Sequence, residues 1–362
     1  MYLITNRKFY DDTTINAFGK NPNPEGPNEL LMANVSKPDG DWKVERIDNC
    51  LPVAEVIALK DKFKLDIDEK EPWHGSLKIT CELFEKARQE KKSILFFIHG
   101  YNNDVDDVLK AAHEIEELHN VIVVPFTWPA NGGGILSGTA SYLSDKADAR
   151  VSTGALNRVV GKIHEFHLMM VESLRKTHLA EAEARHPDNP IAASQLFTKL
   201  VERDCQVKIN LLCHSMGNYL LKHTLATGSN ATSKLVFDNV CLVAADTNNE
   251  KHADWVGKLD VRNRVYVVIN ENDSALKASR IKPGEEQKAR LGHYIKQLNS
   301  ANANYIDVTD AEHIGSEHTY FKGDVMQDNP NLKALFTDMF NGKAVENHLV
   351  YHADTNSYKF PN

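Results

Sequence analysis

The run Leu211-Leu212-Cys213-His214-Ser215-Met216-Gly217-Asn218-Tyr219 changes character at its centre. Up to Cys213 it is a short apolar stretch of strand type, and from Met216, through Leu220 and Leu221, it reads as a helix. Ser215 therefore occupies the turn between a strand and a helix. A hydroxyl placed there projects from the C-terminal edge of a sheet, with the N–H groups of a helix N-terminus behind it. Such donors suit the negative oxygen that forms when a nucleophile attacks a carbonyl. The run departs from the G-x-S-x-G pattern in having Cys213 at its first position; the steric demand there is for a small residue, which cysteine roughly meets, and Gly217 supplies the second glycine. The plainer reading is a serine that only caps the helix. Its register with both the strand and the helix favours the nucleophile.

Working outward, the segments Ile94–Ile98, Val121–Val124, Ile209–Cys213, Val240–Ala244, Val265–Ile269 and Tyr305–Val308 are short, mostly apolar and often β-branched. Near-continuous apolar strands are what a parallel sheet covered on both faces requires. Helical periodicity separates several of them. Val105, Val108, Leu109, Ala112, Ile115 and Leu118 recur at three- and four-residue spacing behind Asp104, a good N-cap. Residues 146–184 read as one long helix or two, with Leu156, Val159, Val160, Ile163, Leu168, Val171 and Leu174 as the buried stripe; prolines at 187 and 190 stop it. Ahead of the core, Tyr2–Thr5 reads as a strand, Leu30–Ile47 as one or two strands about Pro38-Asp39-Gly40, and Ile79–Lys92 as a helix, while Leu51–Asp68 is ambiguous. The expectation is an α/β fold with a mostly parallel central sheet flanked by helices. It forms one domain over 1–362: N-terminal strands and a helix (1–90), a core (93–325) with 165–206 as helical extension or partial cap, and a C-terminal helix and tail (326–362).

A second strand ends in Phe97-Ile98-His99-Gly100-Tyr101-Asn102-Asn103. In a hydrolase of this architecture the loop after that strand supplies one oxyanion donor and the residue after the nucleophile supplies the other, so the amides of Tyr101 and Met216 are assigned to the oxyanion hole. The general base should follow the last strand, where His313 and His318 compete. His318 is preferred, because past Gly315 the chain has room to curl back over the serine; His313 stays in reserve. The orienting acid should end a neighbouring strand. Asp273, after the second strand beyond the nucleophile, is chosen over Asp246, after the first. The order Ser215, Asp273, His318 is then nucleophile, acid, base. His99, Gly100, Asn102, Trp128 and His214 are read as possible pocket lining. Gly132–Gly134 is a loop at the same sheet edge. It is not a phosphate loop, since no Gly-Lys-Ser/Thr follows. His164 and His167 on the long helix lack the spacing of a zinc motif.

Composition narrows the partners. With 42% hydrophobic and 25% charged residues the chain can bury a large core, and its formal charge of −8 is spread along the chain, leaving nucleic acid no basic patch. The cysteines at 50, 81, 205, 213 and 241 form no C-x-x-C pair, which points to thiols in a reducing compartment. MYLITNRKFYDD does not read as a secretory signal, and no apolar run approaches the length of a membrane span, so cytoplasmic residence is expected. The expected partner is a small-molecule or acyl ester substrate, with no metal or organic cofactor required. The reaction expected is ester cleavage through an acyl-enzyme. A thioesterase, an amidase or peptidase, an acyltransferase, or a non-catalytic binding protein of the same fold are the alternatives.

These residues resemble the α/β-hydrolase superfamily, and more closely a bacterial branch of unknown function. The likeness rests on Ile4-Thr5-Asn6-Arg7, His99-Gly100-Tyr101-Asn102, Trp128-Pro129, Tyr142 to Asp145, His214-Ser215-Met216-Gly217, Asn272-Asp273-Ser274-Ala275-Leu276, Arg290-Leu291-Gly292 and His318-Thr319-Tyr320, and spans residues 1 to about 325. The resemblance implies an α/β-hydrolase fold with Ser215 as nucleophile, Asp273 as acid and His318 as base.

Overall fold

The computed structural model describes residues 1–37, 40–130, 138–204, 207–227, 235–281 and 288–361. The N-terminal part contributes β1 (Tyr2–Thr5), β2 (Arg7–Phe9), β3 (Phe18–Pro22), β4 (Leu31–Ser36) and β5 (Lys43–Arg46), then α1 (Val53–Phe63) and α2 (Gly75–Glu90). The ambiguous stretch after Leu51 is thus the helix α1. Strand and helix then alternate: β6 (Ile94–Ile98), α3 (Val105–His119), β7 (Ile122–Thr127), α4 (Gly138–Val151), α5 (Thr153–Arg185), α6 (Pro190–Asp204), β8 (Ile209–His214) and α7 (Met216–Ala226). They continue with β9 (Asn239–Val243), α8 (Ala253–Val256), β10 (Arg264–Ile269), α9 (Ser274–Ser279) and β11 (Ala303–Asp307). The chain ends in α10 (Asp324–Asp328), α11 (Pro330–Phe340), β12 (Val350–His352) and β13 (Ser357–Lys359). Where the sequence suggests only a tail after the last helix, β12 and β13 form a hairpin that adds to the sheet.

Among the described residues the main sheet has eleven strands in the order β12-β13-β11-β10-β9-β8-β6-β7-β1-β4-β5. The pairings from β13 through to β1 are all parallel; β12, β4 and β5 are added antiparallel at the edges. Alternate strand residues face opposite helical layers. Ile94, Phe96 and Ile98 of β6 pack with α5 and α7, whereas Leu95 and Phe97 pack with α3 and α11. Both faces are therefore apolar, which is why these strands read as unbroken apolar runs.

Helix ends follow local chemistry. The Asp104 carboxylate accepts the Asp107 N–H, and the Asp107 carboxylate returns the bond to the Asp104 N–H, starting α3. In α5 the stripe holds at Leu156, Val159 and Val160 but fails at Leu168, which is exposed; Phe166, Ser173, His178 and Ala182 turn inward instead. The periodicity drifts there because the helix runs out past the sheet and packs against α1, α2 and α6. Cys205, the Pro38-Asp39 turn and Gly132–Gly134 lie outside the described residues. Cys50, Cys81, Cys213 and Cys241 are free thiols, and among the described residues no helix is long and apolar enough to cross a membrane.

The strand order opens a place for a site. From β6 the chain moves to β7 on one side, then returns to β8 on the other. Reversals of this kind open a crevice at the C-terminal ends of the two strands. Those ends carry the His99–Asn103 loop and Ser215.

Candidate active site

Ser215 has φ +52° and ψ −120° between β8 and α7, and its hydroxyl makes no capping hydrogen bond. A serine retained only as a cap would have extended backbone and an oxygen bound to the helix N–H groups. The observed turn is instead strained, with Ser215 in a backbone conformation that non-glycine residues rarely adopt. Its strain is braced from below: the Asn218 Nδ2 donates to the carbonyls of Cys213 (2.9 Å) and Ser215 (3.2 Å), and the Ser215 N–H donates to Val243 O (3.1 Å). No motif or spacing singles out Asn218; its one signal is an amide side chain on the inward face of an otherwise apolar first turn.

Two glycines let the backbones meet. A Cβ on Gly217 would lie 2.6 Å from Ile98 O and 2.8 Å from His99 O, so α7 could not approach β6 with any side chain there. A Cβ on Gly100 would lie 2.8 Å from the Ser215 Cβ. The loop bearing Tyr101 therefore passes directly against the serine. Met216 is the first residue of α7, where an N–H has no acceptor inside the helix.

Asp273 follows β10 and is fully buried. One carboxylate oxygen accepts the Leu276 N–H at 2.9 Å, capping α9, and the other lies 2.7 Å from His318 Nδ1. With Nδ1 donating to the carboxylate, Nε2 of a neutral His318 is left as an acceptor. The ring is 22% exposed and packs 4.7 Å, centroid to centroid, from His214, the residue just before Ser215. The His214 Nε2 donates to His318 O (3.1 Å), so the backbone of the late loop is tied to the end of β8. Burial keeps the His214 imidazole neutral, with its pKa well below the usual histidine range.

The reserve candidates lie elsewhere in the network. Asp246 forms an almost fully buried ion pair with Arg290 (3.0 Å) and accepts hydrogen bonds from Tyr142 Oη (2.9 Å) and Ser279 Oγ (3.0 Å). Its carboxylate is thus committed to holding α4 and the Arg290 segment beside the site. His313 is exposed on a left-handed turn, φ +65°.

His99 and Trp128 are buried and stacked on each other, centroids 5.1 Å apart and planes at 3°. His99 Nε2 accepts the Trp128 N–H (3.2 Å), so Nδ1 is the protonated nitrogen and donates to Gly100 O (2.9 Å). Burial, then the charge of Arg7, push its pKa down to about 3. This imidazole is fixed as a neutral brace. Asn102 adopts φ +58°, and its N–H donates to the buried Asp145 carboxylate at 3.0 Å.

A cavity of about 550 Å³ lies between α2, α5 and the face of β1, β6 and β7; none of Gly100, Tyr101, Ser215, Met216, Asp273 or His318 lines it. The chemistry-bearing cluster and this cavity are separate. Among the described residues no group of three His, Cys, Asp or Glu side chains is arranged to hold a metal ion.

No solved structure matches the chain. The model of the family described as alpha/beta hydrolase of unknown function (DUF900) matches residues 78–170 and 189–338, more than half of the sequence, with the 98–103 loop, Ser215, Asp273 and His318 inside the matched segments. The chain belongs to that family of α/β hydrolases.

Proposed function

We propose that the protein is a serine hydrolase that cleaves an ester, in the manner of a carboxylesterase, through a covalent acyl-enzyme. The observation that carries this reading is the buried Asp273 carboxylate hydrogen-bonded to His318 Nδ1, on a loop tied to the strained turn that holds Ser215. In the proposed cycle the Ser215 hydroxyl attacks the ester carbonyl while His318 Nε2 takes its proton. Asp273 keeps the imidazole in the required tautomer and stabilises the imidazolium. The tetrahedral oxyanion is received by the amides of Tyr101 and Met216. As the intermediate collapses, the C–O bond to the leaving alcohol breaks and His318 returns the proton to that oxygen. Water then attacks the acyl-serine with His318 as base, releasing the acid and restoring the hydroxyl.

The reading places the catalytic unit in residues 93–325 and the protein in the cytoplasm, in keeping with the free thiols. The direct test is labelling by a fluorophosphonate together with hydrolysis of p-nitrophenyl acetate. Wild-type protein should label at one site per chain and turn over, and Ser215→Ala should do neither. Folded wild-type protein that neither labels nor hydrolyses would leave a binding protein of hydrolase fold.

A further inference from the structure

Arg7 is 1% exposed, a charge placed where burial is costly. Its partners are a hydroxyl and three carbonyls drawn from three stretches of chain. Nε donates to Thr127 Oγ1 (2.9 Å) at the end of β7, and one terminal nitrogen donates to both Asn103 O and Ala130 O (3.1 Å each). The other reaches Gly19 O (3.4 Å) on β3. Desolvation pulls the guanidinium down to about 10, opposed by the nearby charges of Asp104, Asp145 and Asp148, so it stays a cation at neutral pH.

The contact to Asn103 matters because of what that loop does. Three groups hold it at consecutive residues. Tyr101 O accepts from Asn103 Nδ2 (2.6 Å), Asn102 N–H is held by Asp145 (3.0 Å), and Asn103 O is held by Arg7. Asn102 is thereby kept in a left-handed conformation that non-glycine residues adopt only under constraint. Just upstream, Gly100 lies against the Ser215 Cβ. A small rotation of the 101–103 segment would re-aim the Tyr101 N–H.

We infer that Arg7 is a positioning residue: from the back of the sheet edge it fixes the Gly100–Asn103 loop so that the Tyr101 amide meets the oxyanion at Ser215. This rests on the hydrolase reading above. The side chain touches no reacting atom and acts through the loop, and Ala130 O ties the following loop to the same guanidinium.

The experiment compares wild type with Arg7→Met, of similar length but without donors. Each preparation is titrated with a fluorophosphonate to count functional sites. Then kcat and KM for p-nitrophenyl acetate are measured per labelled site, with the inhibition constant of an aryl trifluoromethyl ketone, which forms a tetrahedral oxyanion. The expected result is a fall of about 10- to 100-fold in kcat per labelled site, with KM changed less than about threefold and ketone affinity weakened in parallel. A merely structural arginine would lower Tm and the labelled fraction but leave kcat per labelled site and ketone affinity unchanged, and that result overturns the inference. If Arg7→Met does not fold, Thr127→Val removes only the acceptor of Nε; a several-fold loss of kcat per site supports the role, and an unchanged kcat overturns it. Wild-type protein that never labels would instead remove the hydrolase reading itself.

Discussion

At the level of single residues, the site depends on places where a side chain is missing as much as on those that carry chemistry. Gly100→Ala would drive a methyl group to 2.8 Å from the Ser215 Cβ and 3.3 Å from His214 Nδ1. We expect this variant to fold but to label with fluorophosphonate at least about tenfold more slowly, since a shift of a fraction of an ångström at the nucleophile misaligns attack. A labelling rate equal to wild type would show that the loop does not press on the serine. Asp273→Asn should keep the cap on α9 while losing the charge that orients His318, lowering kcat by roughly 10²- to 10⁴-fold with little change in unfolding midpoint. That Ser215, Asp273 and His318 each follow a strand of the core was legible in the sequence, because the apolar runs of those strands are unmistakable; the hydrogen bond between Asp273 and His318 is what the fold adds. The part played by Arg7 was not legible. Its acceptors come from residues 19, 103, 127 and 130, a convergence that no spacing records.

Among elements, the strands of the core were read almost to the residue, because burial on both faces forces an uninterrupted apolar run. Ile94–Ile98 is β6 without change, and Val265–Ile269 differs from β10 only at Arg264. The terminal hairpin leaves little apolar signal, because β12 is wholly exposed and the one fully buried residue of β13 is a serine, Ser357. Counting strands favours Asp273 over Asp246 as the acid, and the two carboxylates have different partners: Asp273 meets His318, while Asp246 meets Arg290, Tyr142 and Ser279. Arg290 meets Asp246 with both side chains at or below 4% exposure. Removing one partner of such a pair leaves an uncompensated buried charge, so Asp246→Ala should cost about 3–5 kcal/mol in urea unfolding. Below its transition the variant should retain kcat per labelled site within about tenfold. A loss as large as that of Asp273→Asn, with unfolding unchanged, would move the role of acid to Asp246.

Taken whole, the molecule buries imidazoles on both sides of its sheet, and this makes stability depend on pH. His99 braces the β6 edge. His119, at the end of α3, lies 2.8 Å from both Phe321 O and Thr337 Oγ1, so it donates to the carbonyl and accepts from the hydroxyl. Burial is the main cause in each case, pushing His99 down from 6.5 to about 3 and His119 to about 4. Both are neutral in the fold, while the unfolded chain gains a proton at each as pH falls through about 6.5. Between that value and about 4 the unfolded state binds two protons that the folded state refuses, so stability is full above 6.5 and declines with acidification. The decline approaches ~1.4 kcal/mol per pH unit for each histidine, and His214, shifted in the same direction, adds to it. Urea unfolding at pH 7.5, 6.0 and 5.0 should show the midpoint falling most steeply over the last interval. His119→Gln can offer an amide to Phe321 O without taking up a proton, and it sits far along the chain from the Ser215 loops. It should flatten that slope by about one histidine's share while leaving hydrolysis per labelled site unchanged. A slope identical to wild type would mean that this ring is protonated as readily inside the fold as outside it.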